Sequence, residues 1–267
     1  MSERLHVESV GAGPPLVLLH GWAMHSGMWG SVVADLAPRF RVHAVDLPGH
    51  GHSAAAAPWT LDAAVDEVAA AFAGLDEPLA VVGWSLGGMV ALRWALASPG
   101  RIGRLALVCT TPCFVARHDW PHAMAAATLS KFGDELRVAY RLTLLRFLAL
   151  QLRGGDDGKA TLAAMRGRLF ERPDPAPAVL TAALAALAAT DLRPAAPEIR
   201  PSALVIAGER DTLTPCLAGE WLARAMPRAR FAAIAGAAHA PHLSHPAQFA
   251  AALDGFLDER AAPARRG

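Results

Sequence analysis

Three cysteines in 267 residues (Cys109, Cys113 and Cys216) are an odd number and too few for a disulfide framework. They suit a reducing compartment. Net charge is nearly absent: 25 Lys and Arg against 24 Asp and Glu leave +1, without the excess that marks nucleic-acid binding. No apolar run reaches membrane-spanning length. The longest, Ala176 to Ala189, is alanine-rich, contains Thr181 and follows a proline cluster. Met1-Ser2-Glu3-Arg4 leads into alternation, not into the apolar core of a signal peptide. There is no internal repeat, and the alanine run Ala54 to Ala57 is a loop feature. Gly11-Ala12-Gly13 lacks a third glycine and precedes a strand, so it is no dinucleotide fingerprint. These absences predict a soluble, cytoplasmic monomer with no nucleic-acid or membrane partner and no cofactor.

What is present is apolar periodicity, in a chain that is 53% hydrophobic and long enough to bury a core without staples. Leu5 to Val10 reads as an entry strand. Leu16 to Leu19 and Leu79 to Val82 are continuous apolar runs of the kind parallel strands need when both faces are covered. Val42 to Leu47 and Leu105 to Val108 are further strands. Helices fit Met28 to Leu36, Leu61 to Leu75 with Thr60 as N-cap, and Met89 to Leu96. Alternation of this kind predicts an α/β fold with a mostly parallel sheet and helices on both faces. From 111 to 201 the pattern is helical only, with helices over Leu136 to Leu152 and Thr161 to Leu169. Alternation resumes at Ala203 to Ile206, Leu217 to Ala225, Phe231 to Ile234 and Ala247 to Leu257. The expected organisation is a core of 1–110 and 202–260, an inserted helical cap at 111–201, and a disordered tail at 261–267.

Gly83-Trp84-Ser85-Leu86-Gly87 sits between a strand and a helix. In that context G-x-S-x-G is a nucleophile elbow rather than a chance turn. A serine nucleophile needs a base, and the base needs an acid that orients it. In parallel sheets the site lies beyond the carboxyl ends of the strands. Asp211 and His239 each follow a late strand, in the order Ser, Asp, His. Ser85, Asp211 and His239 are therefore the expected catalytic residues. The expected oxyanion donors are the N–H groups of Leu86 and Trp22.

Competing groups have ordinary explanations. Glu209 is carboxylic but predicted to face solvent, and Asp46 and Asp191 look like turn or capping groups. His239, His242 and His245 have a metal-like spacing. Pro241 and Pro246 interrupt them and no carboxylate joins, so no metal is expected. His50 and His52 read as loop histidines. The indole of Trp22 fits a pocket wall, whereas Trp84 reads as shape alone.

Leu18-Leu19-His20-Gly21-Trp22, Asp46-Leu47-Pro48-Gly49-His50-Gly51-His52-Ser53 and Gly83-Trp84-Ser85-Leu86-Gly87-Gly88 together resemble the α/β-hydrolase family. More narrowly, four stretches resemble the pimeloyl-[acyl-carrier protein] methyl ester esterases of biotin synthesis. These are Pro112-Cys113-Phe114 with Trp120-Pro121, Arg146 to Gln151, Ala237 to Pro241, and Ser244-His245-Pro246. The resemblance implies hydrolysis of a carrier-bound methyl ester, with acyl carrier protein as partner. It also implies substrate contacts from Trp22, Ser85, Leu86, Phe147, Leu148, Ala149, Leu150, Gln151 and His239. Position 85 is serine, unlike the carboxylate nucleophile of dehalogenases and epoxide hydrolases of the same fold. Two other readings stand beside this one: an esterase of free short-chain esters, and a non-catalytic ligand-binding protein.

Between Lys131 and Arg172 there are nine basic and five acidic residues, while the whole chain is +1. Positive charge is thus concentrated in the insertion, which suits an acidic carrier protein or simply a solvated face. Arg141, Arg146, Lys159 and Arg166 are the expected docking residues. Leu142 and Ala163 stand where the resemblance leads one to expect arginine.

Overall fold

A computed structural model describes residues 4–55, 58–156 and 158–258. The expected tail 261–267, Met1 to Glu3, Asp157, and two members of the alanine run, Ala56 and Ala57, lie outside the described residues.

The strands β1 (Val7–Val10), β2 (Pro15–Leu19), β3 (Arg41–Val45), β4 (Leu79–Trp84), β5 (Ile102–Val108), β6 (Ser202–Gly208) and β7 (Ala229–Ile234) form one sheet in the order β1-β3-β2-β4-β5-β6-β7. β1 runs antiparallel to β3, and every other pairing is parallel. Every residue of β2 and β4 is buried, which explains their continuous apolar runs. From β2 the chain passes first to β3 on one side and then to β4 on the other. Strand order therefore switches between β2 and β4, and the crevice beyond their carboxyl ends is where such sheets bind ligands. Leu19 pairs with Gly83 and Gly83 with Leu107, so these strand ends stand level and their loops meet.

A 3-10 turn at Ser26–Trp29 leads into α1 (Gly30–Leu36). In α2 (Leu61–Ala71) the Thr60 hydroxyl accepts the Ala63 N–H at 3.1 Å, so Thr60 is the N-cap. The helix stops before Leu75, because Phe72 leaves helical geometry and its N–H closes on the Ala69 and Ala70 carbonyls. α3 (Leu86–Ala97) is buried along nearly its whole length between β4 and α2.

Among the described residues four α-helices lie between β5 and β6: α4 (Ala126–Val138), α5 (Tyr140–Gln151), α6 (Gly158–Leu169) and α7 (Pro177–Ala189). The single helix expected over Leu136 to Leu152 is two, broken at Ala139 (φ −140°, ψ 57°), where neither glycine nor proline signals the break. The alanine-rich run is α7, with Pro177 at its first position, where a missing N–H costs nothing. It buries Val179, Leu180, Ala183, Leu184 and Leu187 and packs on α4. No helix among the described residues is long and apolar enough to cross a membrane. After β6 come α8 (Cys216–Ala225), α9 (Pro241–Ser244) and α10 (Pro246–Leu257). Both prolines that break the histidine run open a helix.

Candidate active site

Ser85 follows β4 with φ 54° and ψ −113°, a left-handed conformation that a residue with a side chain adopts only under constraint. The constraint is close packing. A Cβ on Gly83 would meet the Gly87 carbonyl, and one on Gly87 would meet the Leu19 carbonyl. The strand and α3 can approach closely enough to form the bend only because both positions are glycine. The bend lifts Ser85 above the strand ends.

His239 follows β7, and its Nδ1 lies 2.7 Å from Asp211 Oδ2 in the loop after β6. Both residues are buried. Asp211 Oδ1 accepts the N–H groups of Leu213 (2.8 Å) and Thr214 (3.0 Å), and Oδ2 also accepts the Thr214 hydroxyl at 2.7 Å. The carboxylate is thus fully satisfied without water, as a buried charge requires. Its contact with Nδ1 makes Nδ1 the donor and leaves Nε2 free to accept a proton. Among the described residues Ser85 Oγ makes no hydrogen bond to His239 Nε2, and nucleophile–base contacts are often long in sites without substrate.

The loop after β2 crosses the elbow. A Cβ on Gly21 would stand 3.5 Å from Ser85 Cβ. Among the described residues, no turn, loop or cap hydrogen bond uses the N–H of Trp22 or of Leu86. Leu86 opens α3, where the helix leaves its first N–H groups unpaired and its dipole favours negative charge. His20 governs the other donor. Its Nε2 accepts the Leu47 N–H at 2.9 Å, so Nδ1 carries the proton and donates to the Gly21 carbonyl at 2.8 Å. That carbonyl and the Trp22 N–H are opposite ends of one planar peptide. Holding the carbonyl toward His20 turns the N–H the other way.

A family model described as alpha/beta hydrolase fold matches residues 14–246. The chain belongs to the α/β-hydrolase family. It is 45% identical over 250 residues to a pimeloyl-[acyl-carrier protein] methyl ester esterase from Nitrosomonas europaea, covering 94% of this chain and 98% of that one. A protein of the same name from Chromobacterium violaceum is 44% identical, covering 96% and 99%. Among solved structures, an esterase from Exiguobacterium antarcticum superposes with a TM-score of 0.88 over 96% of each chain, at 21% identity, a likeness of fold.

In this hydrolase the helices between β5 and β6 touch His239 directly. The His239 N–H donates to the Gln151 carbonyl at the end of α5 (2.9 Å), and the His239 carbonyl accepts Trp84 Nε1–H (2.8 Å). Trp84 therefore does more than fill space. Trp22 is buried, donates its indole N–H to the Leu180 carbonyl of α7 (3.0 Å), and meets Phe147 edge-on at 4.7 Å. Leu148 is fully buried, Leu150 is half-buried and Ala149 is exposed. Ala149 lines an open groove of about 550 Å³ with Leu152, Gly155 and Lys159. The side-chain amide nitrogen of Gln151 is buried without a partner.

Asp46 is more than a turn group. It is fully buried and accepts the N–H groups of Ser26 (2.7 Å) and His52 (2.9 Å) and Arg172 Nη1 (2.6 Å). Burial alone would raise its pKa. The His20 ring, the two N–H groups and Arg172 outweigh burial and hold it at about 2. Arg172 also pairs with Glu8, so it ties the insertion to the core and adds no free charge to the surface. Burial lowers His20 to about 3, with His50 adding to the effect, so the His20 ring is neutral near pH 7.

His239, His242 and His245 do not converge. His242 lies in an aromatic box of Trp29, Trp84 and Phe249, and His245 Nδ1 bonds to Ser244. The only group of possible metal ligands found among the described residues is Cys109, Asp211 and His239. The Asp211 oxygens are already occupied. Burial, reinforced by Asp211, keeps the Cys109 thiol well above its usual pKa and therefore protonated. This chemistry is that of a hydrogen-bonded acid–base pair, not of a cation site. Glu209 is exposed and accepts the Gly236 N–H at 3.0 Å. Asp191 accepts the Arg193 N–H and pairs with its guanidinium. His50 is buried beside His20 (ring centroids 5.3 Å apart), an arrangement its loop position did not reveal.

Proposed function

We propose that this hydrolase is a serine carboxylesterase that cleaves the methyl ester of pimeloyl-acyl carrier protein, releasing methanol. Ser85 Oγ attacks the ester carbonyl while His239 Nε2 takes its proton. The N–H groups of Trp22 and Leu86 stabilise the oxyanion that forms. Collapse of the tetrahedral species expels methanol, protonated by His239, and leaves an acyl-serine. Water, deprotonated by the same imidazole, then releases the free carboxylate. Asp211 keeps Nδ1 protonated and stabilises the imidazolium throughout.

The observation that carries the substrate assignment is 45% identity over 94% of the chain to a relative of that name. Residues 111–201 act as a cap on a core of 1–110 and 202–260. Phe147, against Trp22, and Gln151, against His239, line the acyl site, whereas Ala149 faces the outer groove; the unpaired Gln151 amide supports a polar contact with substrate. The carrier protein docks on the basic cap face. Arg141 and Arg146 are exposed but paired with Asp174 and Glu135. Lys159 and Arg166 are exposed and have no ion-pair partner among the described residues, so their charge is open to the carrier protein.

The test is methanol release from carrier-bound pimeloyl methyl ester, with rescue of a biotin-requiring strain that lacks its own esterase. Rescue is the expected result. Equal efficiency on a free short-chain ester, with no rescue, would favour a general esterase instead.

A further inference from the structure

We infer that Thr214 is a positioning residue for Asp211, a fourth member of the catalytic hydrogen-bond chain. The inference rests on the serine-esterase reading of Ser85, Asp211 and His239. Thr214 is buried two residues before α8. Its hydroxyl oxygen lies 2.7 Å from Asp211 Oδ2, 3.0 Å from the Cys109 carbonyl and 3.3 Å from His239 Nδ1. A hydroxyl has one proton to give. The shorter contact is to a carboxylate, and a charge-assisted hydrogen bond outcompetes a neutral one. The proton therefore goes to Asp211, and the Cys109 carbonyl is its only other acceptor.

The backbone makes this arrangement rigid. The Thr214 N–H binds Asp211 Oδ1 while its hydroxyl binds Oδ2, so one residue grips both oxygens of the carboxylate. Rotation of the carboxylate about its own axis would break both contacts together. Cys109 is held from the other side. It has φ 45° and donates its N–H to the Ile206 carbonyl at 2.7 Å. The acceptor on β5's exit loop is thus as fixed as the acid on β6's.

Two consequences separate positioning from mere packing. The hydroxyl withdraws charge from Oδ2, the oxygen that faces the imidazole. Without it, that oxygen would stabilise the imidazolium more strongly, and the base would be lost to protonation at a higher pH. The carboxylate, then held by backbone N–H groups at Oδ1 alone, would also face the imidazole less rigidly, and turnover would fall without a change in substrate binding.

Thr214→Val keeps the shape and removes the hydroxyl. With p-nitrophenyl butyrate as probe, kcat is expected to fall about tenfold at unchanged KM. The acid limb of the kcat/KM profile is expected to move to higher pH. Thr214→Ser should restore both. Wild-type kcat and an unmoved acid limb in Thr214→Val would overturn the proposal, as would a change in KM alone or failure of serine to rescue. Should the valine variant not fold, Thr214→Ala is read by the same criteria. Ser85→Ala, assayed alongside, separates the two readings. If it retains turnover, the serine-esterase reading falls. If it is inactive while Thr214→Val matches wild type, only the role of Thr214 falls.

Discussion

Trp84 Nε1 donates to the His239 carbonyl at 2.8 Å, joining the residue before Ser85 to a histidine 155 positions later. Trp84 is fully buried, so the carbonyl has no water to replace that donor. Trp84→Phe is expected to preserve the fold and lower stability by about 1–3 kcal/mol. It should reduce kcat more than it changes KM, because the base moves while the acyl pocket does not. Steady-state kinetics and a urea melt check both.

The strained backbone of Ser85 predicts a second, independent result. Ser85→Ala should abolish ester hydrolysis with little change in stability, because alanine retains the Cβ that is strained at φ 54°. Ser85→Gly should be equally inactive but more stable than Ser85→Ala by roughly 1 kcal/mol, because glycine relieves that strain. Thermal unfolding of the pair measures the difference. Equal stability would mean that the elbow is unstrained.

Buried histidines set the acid limit. Burial lowers His50 to about 4; burial, then His239 and Arg168, lower His242 to about 3. Between pH 6.5 and those values the unfolded chain binds protons that the folded chain refuses. Stability should therefore fall as pH drops below 6.5, by roughly 1.4 kcal/mol per pH unit for each such histidine. His242→Phe suits the aromatic box and should remove about one proton from that slope. Urea unfolding from pH 7 to pH 4.5 gives the number.

Charge reversal tests the docking face. Lys159→Glu with Arg166→Glu should raise KM for carrier-bound ester and weaken its salt dependence, since steering by unpaired surface charge is screened by salt. Turnover of a free ester should not change. An equal loss on both substrates would place these residues in folding or catalysis instead.

Much of this molecule is legible in one dimension. The runs Leu16 to Leu19 and Leu79 to Val82 announce buried parallel strands, because a strand covered on both faces cannot alternate. The elbow is legible because a strained strand-to-helix bend demands glycine at fixed spacing. Thr60 announces a helix start because capping is local. The break at Ala139 is not legible, since no breaker residue sits there and the packing of α4 and α5 on different neighbours makes the bend.

The alternation of strands and helices, the elbow at Ser85, and the order of Asp211 and His239 are written along the chain, because each depends on residues near one another in it. What holds those groups in place comes from contacts between distant parts of the fold. Thr214 on the carboxylate, Trp84 and Gln151 on the two sides of the His239 peptide, His20 behind the Trp22 N–H, and Arg172 on Asp46 lie in contacts that sequence periodicity cannot encode. Buried polar groups must find partners wherever the fold brings them, and those partners come from the far ends of other strands and from the inserted helices.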